Sequence, residues 1–271
     1  MLKTSSPAAT PARVPAAARA GDGTQVLRRA AAILRSVAQA GASGVSLAEL
    51  ARTHALARPT AHRILQCLVA ETILAQEEAD KRYRVGPLLH ELGMAPGASA
   101  AEIARWRPVV EAVARRSGVT AYLMRRSGVE VVCLVKADGH GAIRFVPVEV
   151  GQRRLLGVGA GATALLAALE PSGVEEVIDA IGQGLRNYPR INAESLREAV
   201  ALTRRSGFAM SQGTVAAQGF GMGIAIPDAR GAPQLALSIA AHASVVTESS
   251  IADWKKIMRE ELAEGLRPSL S

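Results

Sequence analysis

The 271-residue chain is poor in cysteine, with only Cys67 and Cys133. Two thiols exclude the disulfide framework of a small secreted scaffold and suit structural roles in a reducing compartment. Cys67 lies beside Ile64 and Leu68 in sequence and is expected on the apolar side of its helix. Long apolar runs are missing too. The uncharged stretch Leu155 to Leu169 is Gly-rich and shorter than the roughly 20 apolar residues a membrane span requires. Met1 to Ala20 is Ala- and Pro-rich, is interrupted by Lys3, Arg13 and Arg19, and lacks the apolar core of a signal peptide. It reads as a disordered tail, and the chain as a soluble, cytoplasmic protein with no membrane partner.

Catalytic signatures are equally scarce. The chain has no Gly-x-Ser-x-Gly elbow, no His-Glu-x-x-His and no Cys-x-x-Cys. Histidines at 54, 62, 90, 140 and 242 are too dispersed for a metal site. Asp138-Gly139-His140-Gly141 is the best isolated acid–base candidate, yet glycine on both sides of the histidine favours a loop tip. No catalytic residue, metal or cofactor is expected, and no internal repeat is found.

What is present is positive charge. A formal net charge of +8 and a pI near 10.2 suit a polyanionic partner, although arginines are scattered along the whole chain. Gly21 to Ala95 carries nine basic against seven acidic residues, so any nucleic-acid contact there depends on a local basic face.

Such a face can be read between Val45 and Val85. Leu47, Leu50 and Ala51 recur at helical spacing, and Ser46 followed by Glu49 is a capping-box signature, which predicts a helix starting near Ser46. After Thr53-His54-Ala55-Leu56, a second helix runs from Arg58 to Val69 with Pro59 in its first turn. Ala61, Ile64, Leu65 and Leu68 form its buried stripe, leaving Arg58, Pro59, His62, Arg63 and Gln66 outside. Ile73 to Gln76 and Arg82 to Val85 are strand-like runs around Glu77-Glu78-Ala79-Asp80-Lys81, consistent with a hairpin. Two helices crossing at a short turn place the second in a major groove, its N-terminal half nearest the bases. The expected DNA contacts are Arg58, Pro59, Thr60, His62, Arg63 and Gln66 on the helix, with Lys81, Arg82 and Arg84 on the hairpin meeting phosphates. The bland alternative is a solvated helix in a structural bundle. A first helix, Thr24 to Gln39, precedes the motif with Leu27, Ala30, Ala31, Leu34 and Val37 on one face.

From Trp106 the pattern is a helix to Ser117, then a hairpin of Thr120–Met124 and Val129–Val135. Helical segments near Ala162–Ala168, Val174–Ile181 and Ala193–Ser206 precede strand-like runs Phe208–Val215, Gly221–Ile226 and Leu235–Ala240. A last helix covers Ser249–Leu266. Strands at both ends with helices between them predict an α+β domain with one antiparallel sheet. Gly157-Val158-Gly159-Ala160-Gly161 superficially matches a dinucleotide-binding turn, but no long buried strand or βαβ unit surrounds it. Small residues there permit close approach of a ligand or of a neighbouring backbone.

The segments Leu27–Leu34, Leu47–Ala51, Arg58–Gln66 and Tyr83–Pro87 resemble the DNA-binding half of the isocitrate-lyase-regulator (IclR) family of bacterial transcription factors, and the resemblance continues to about Leu266. Two departures stand out. Ala57-Arg58-Pro59 replaces a usual Pro-Lys-Ser, and Glu71-Thr72-Ile73-Leu74 replaces a usual Gly-Tyr turn. The resemblance implies a tail (1–22), a winged helix–turn–helix domain (23–87), a linker helix (88–105) and a GAF-like effector-binding domain (106–271). It implies that the first helix helps pair two DNA-binding domains. It further implies an effector site with Arg154, Ala160 and Gly161 on one wall and Ser211, Gly221, Ser238 and Ala240 on the other. Ser211, Gly221 and Ala240 stand where an acidic residue, Cys and Ser are frequent, which predicts a roomier, less polar pocket. Arg154 would clamp a carboxylate with help from free amides at the next helix start, or else serve as an interface or solvated arginine. The leading reading is a ligand-responsive regulator binding an inverted-repeat DNA operator, as a homodimer or dimer of dimers, and a small, aromatic or hydroxylated carboxylate. The alternatives are a nucleotide- or phosphate-binding enzyme using Gly157 to Gly161, and a scaffold whose helix–turn–helix only dimerises.

Overall fold

A computed structural model describes residues 22–94, 98–141, 143, 145–228 and 231–267. The expected tail lies outside the described residues except for its last position. Contacts divide the chain into two units between residues 93 and 94.

The first unit comprises α1 (Asp22–Ala40), α2 (Leu47–Thr53), α3 (Arg58–Ala70), the two-stranded sheet β1 (Leu74–Gln76) and β2 (Tyr83–Val85), and most of α4 (Pro87–Met94). Ser46 caps α2 as expected: its hydroxyl accepts from Glu49 N–H and Glu49 Oε2 accepts from Ser46 N–H at 2.8 Å. Ile33, Val37, Leu50, Ile64, Leu65, Leu68, Leu74 and Tyr83 make the core. The expected face of α1 is rotated. Ile33 and Val37, one turn apart, are fully buried, whereas Leu27 is 69% exposed. Cys67 is exposed, correcting its placement on the apolar side. At 100° per residue it falls outside the arc that Ala61, Ile64, Leu65 and Leu68 bury.

The second unit holds a six-stranded sheet in the order β5-β4-β3-β8-β7-β6, with every neighbouring pair antiparallel. Its strands are β3 (Thr120–Ser127), β4 (Glu130–Ala137), β5 (Arg153–Leu155), β6 (Ala209–Gln212), β7 (Gly219–Asp228) and β8 (Gly231–His242). Strand alternation sorts the side chains to two faces. Leu235, Leu237, Ile239 and Leu123 pack on α5 (Ala98–Ser117) and α9 (Glu248–Leu266) through Trp106, Val110, Trp254 and Met258. Ala236, Ala240, Tyr122 and Met124 face α6 (Ala160–Ala167), α7 (Pro171–Ile181) and α8 (Ala193–Ser206). Every residue of α6 is buried. Of the linker helix expected over 88–105, the described residues belong to α4, up to Met94, and to α5, from Ala98, which runs unbroken past Arg105 and Trp106. No described helix is long and apolar enough to cross a membrane.

Candidate functional site

Helix α3 is turned as its sequence predicts. Ala61, Ile64, Leu65 and Leu68 are buried, Arg58, Pro59, His62, Arg63 and Gln66 are exposed, and Thr60 is half-buried at the edge. Pro59 sits in the first turn, where a missing N–H costs no helical bond. Among the described residues neither Arg58 nor Arg63 has an acidic partner, so both guanidinium groups are available to an outside anion.

The hairpin arginines are engaged otherwise. Arg82 donates from Nε to Ser43 O at 2.9 Å and from Nη2 to Glu49 Oε2 at 3.0 Å, joining the wing to the capping box of α2. Arg84 donates from Nη2 to Asp80 Oδ2 at 2.7 Å and from Nε to Ala42 O at 2.9 Å. Hydrogen bonding from the Arg84 side chain, then from Arg82 N–H, holds the Asp80 carboxyl down at about 2. The structure thus gives two of the three expected phosphate contacts an internal task. Only Lys81, exposed at the tip and without an acidic partner among the described residues, fits the free-contact expectation.

In the second unit, Arg154, Ala160, Gly161, Ser211, Gly221, Ser238 and Ala240 all line one narrow cavity of about 60 Å³. Sheet register explains the convergence. Ser211, Gly221 and Ala240 are directly opposite one another across β6, β7 and β8, and Ser238 lies one same-face step along. Backbone approach supplies the other wall. A Cβ on Gly161 would lie 2.9 Å from Ser238 Oγ, and one on Gly223 would lie 2.7 Å from Ala160 backbone atoms. The small residues therefore let α6 rest on the sheet and also let its first turn open into the cavity. Gly159, at φ +88°, leaves the N-terminus without a side-chain cap. Thr163 Oγ1 donates to Gly157 O and Gly159 O, both at 3.0 Å, and fixes the loop from behind.

Arg154 reaches the cavity from β5 and donates to Pro147 O. Burial pulls its pKa below the ordinary arginine value, but a guanidinium remains charged. No described carboxylate pairs with it. Tyr122, Met124, Phe145, Val148, Thr214 and Val215 complete much of the lining, and nothing in the sequence marks them beyond strand parity at Tyr122 and Met124. Burial also drives the neighbouring Cys133 thiol up to about 12, so it stays protonated and inert.

Topology and backbone packing bear on two of the alternative readings. The strand before Gly157 is a three-residue edge strand antiparallel to β4, which excludes a parallel βαβ dinucleotide turn. Gly141 N–H donates to Gly118 O at 2.9 Å, and a Cβ on Gly139 would strike Gly118, so the Asp138–Gly141 loop is shaped by close backbone packing.

The model of the IclR helix-turn-helix domain matches residues 26–78. That of the C-terminal domain of the bacterial transcriptional regulator IclR matches residues 99–264. The glycerol operon regulatory protein of Streptomyces griseus is 34% identical over 195 residues, covering 69% of this chain and 72% of that protein. The regulator BhcR of Paracoccus denitrificans is 31% identical over 157 residues, 58% of this chain and 55% of its own. In fold, the chain is similar to an IclR-type regulator from Silicibacter sp. TM1040, with a TM-score of 0.75 at 23% identity over 89% of this chain and 94% of that one. It is also similar to an IclR homologue from Microbacterium hydrocarbonoxydans complexed with 4-hydroxybenzoate, with a TM-score of 0.69 at 23% identity over 89% and 99%.

An IclR-type helix–turn–helix domain followed by the IclR C-terminal domain defines a DNA-binding transcriptional regulator with a ligand-binding domain, not an enzyme. The chain belongs to the IclR family of bacterial transcriptional regulators.

Proposed function

We propose that the protein is a cytoplasmic regulator that binds an inverted-repeat operator as a homodimer or dimer of dimers and responds to a small, aromatic or hydroxylated carboxylate. The observation that carries the effector reading is Arg154: a half-buried cation without a described carboxylate partner, lining the same cavity as the uncapped start of α6. A carboxylate would satisfy both the guanidinium fork and the free amides. Ala160, Gly161, Gly221 and Ala240 leave room for an apolar body, while Ser211 and Ser238 offer hydroxyls. The 4-hydroxybenzoate bound by the Microbacterium homologue belongs to the same chemical class. On the DNA side, Arg58, Pro59, Thr60, His62, Arg63 and Gln66 face the bases and Lys81 a phosphate, while Arg82 and Arg84 hold the wing in place. One recognition helix per subunit reads one half-site, so two-fold pairing of subunits requires a two-fold operator.

The test is a mobility shift on DNA upstream of the protein's own gene, at two salt concentrations, with and without a panel of benzoates. A specific, salt-sensitive shift altered by one acid supports both roles. Isothermal titration in which neutral compounds bind and no acid does would reject the carboxylate.

A further inference from the structure

We infer that Tyr122 and Thr214 select the effector, by requiring hydrogen-bonding groups at two separate places on it; the inference rests on reading the cavity as the effector site. Two of the three described buried side-chain polar atoms that lack a hydrogen-bond partner are Tyr122 Oη and Thr214 Oγ1, and both residues line this cavity. Tyr122 is only 3% exposed. A buried hydroxyl without a partner has given up water and gained nothing for it, a cost a ligand group can cancel.

The two hydroxyls come from different parts of the sheet. Tyr122 stands on β3 opposite Ser238, on the face shared with α6. Burial keeps its phenol protonated, with a pKa above the ordinary tyrosine value, and the Arg154 guanidinium is close enough to act on it electrostatically. A protonated phenol beside a cation can donate to the same carboxylate. Thr214 lies in the connection between β6 and β7, next to the Val215 side chain that approaches Gly159. The strand positions of β3 and β6 are three spacings apart, about 14 Å of backbone, so the side chains reach the cavity from separate directions. Met124, Val148, Val158 and Val215 supply an apolar wall. The matching ligand is a compact apolar body with an acid at the Arg154–Tyr122 end and a hydroxyl or keto oxygen at the Thr214 end. A site built around such a hydrogen bond discriminates against the analogue lacking it.

The experiment is isothermal titration of benzoate, 3-hydroxybenzoate and 4-hydroxybenzoate into the full chain and its Tyr122→Phe and Thr214→Val variants, with thermal melting to verify folding. One hydroxybenzoate should bind the parent about tenfold more tightly than benzoate. Tyr122→Phe should weaken all the acids about tenfold, whereas Thr214→Val should erase the hydroxyl advantage and leave benzoate unchanged. Parent-like affinities in both folded variants would overturn the inference while leaving the carboxylate reading intact. If no acid binds but 4-hydroxybenzyl alcohol does, and both variants weaken it, the carboxylate reading fails and the two selectors stand.

Discussion

Arg58, in the first turn of α3, and Arg63, away from its buried stripe, are both exposed, so truncating either removes charge without opening a cavity. Arg58→Ala and Arg63→Ala are each expected to weaken operator binding about tenfold, within the range of a base or charge-assisted contact, and to leave the melting temperature unchanged. Mobility shifts beside circular-dichroism melts check this, and parent-like DNA affinity in both variants would mean that α3 presents another face. A second residue carries a different kind of cost. Thr72, just past α3, adopts φ +55°, a left-handed conformation that a β-branched side chain resists. The replacement of the usual Gly-Tyr turn by Glu71-Thr72 already marks this place in the sequence. Thr72→Gly should relieve the strain, and after the entropy glycine loses on folding it should stabilise the protein by about 0.5–1 kcal/mol in urea titration. A destabilised variant would show that the Thr72 side chain contributes more than its backbone costs.

At the scale of elements, the wing is a two-strand hairpin too short to stand alone, and it is fastened by Arg82 to α2 and by Arg84 to Asp80 and Ala42. Asp80 has a depressed pKa in the folded state, so its contribution is fully present above the ordinary aspartate value near 4 and is lost as pH falls through about 2. Amide protection at Val45 and Tyr83, which exchange backbone hydrogen bonds of 3.0 and 2.8 Å, should be constant from neutral pH to about 4 and erode below it. Asp80→Asn should abolish that step, and a step that survives in the variant would assign it to another carboxylate. The elements themselves were largely legible because capping, period and turn chemistry are local: Ser46 and Glu49, the α3 stripe and the β3–β4 hairpin all declare themselves within a few residues. Strand β5 was not, since three residues at an edge carry too little pattern. The rotated face of α1, the task of Arg82 and the convergence of Tyr122 with Thr214 depend on partners far along the chain, which periodicity does not name. The seven cavity residues implied by family resemblance do meet in one place, and the register of β6, β7 and β8 is the physical reason.

For the whole molecule, the decisive feature is that the two units have separate cores, one around Leu65 and Tyr83 and the other on the two faces of the six-stranded sheet. Both tryptophans, Trp106 and Trp254, are buried in the second unit. Tryptophan emission therefore reports unfolding of the ligand-binding unit alone, while far-ultraviolet circular dichroism reports both. Operator DNA should raise the transition seen only by dichroism, and a bound hydroxybenzoate the one seen by fluorescence, each by about 2.7 kcal/mol at a hundredfold excess over its Kd. Cross-effects measure the regulation. If the acid changes operator affinity by some factor, linkage requires the operator to change acid affinity by the same factor. The two factors can be obtained by titrating each ligand in the presence and absence of saturating amounts of the other. Equal factors different from one establish coupling between the units, and factors of one with both ligands bound would leave a DNA-binding protein and a ligand-binding protein that merely share a chain.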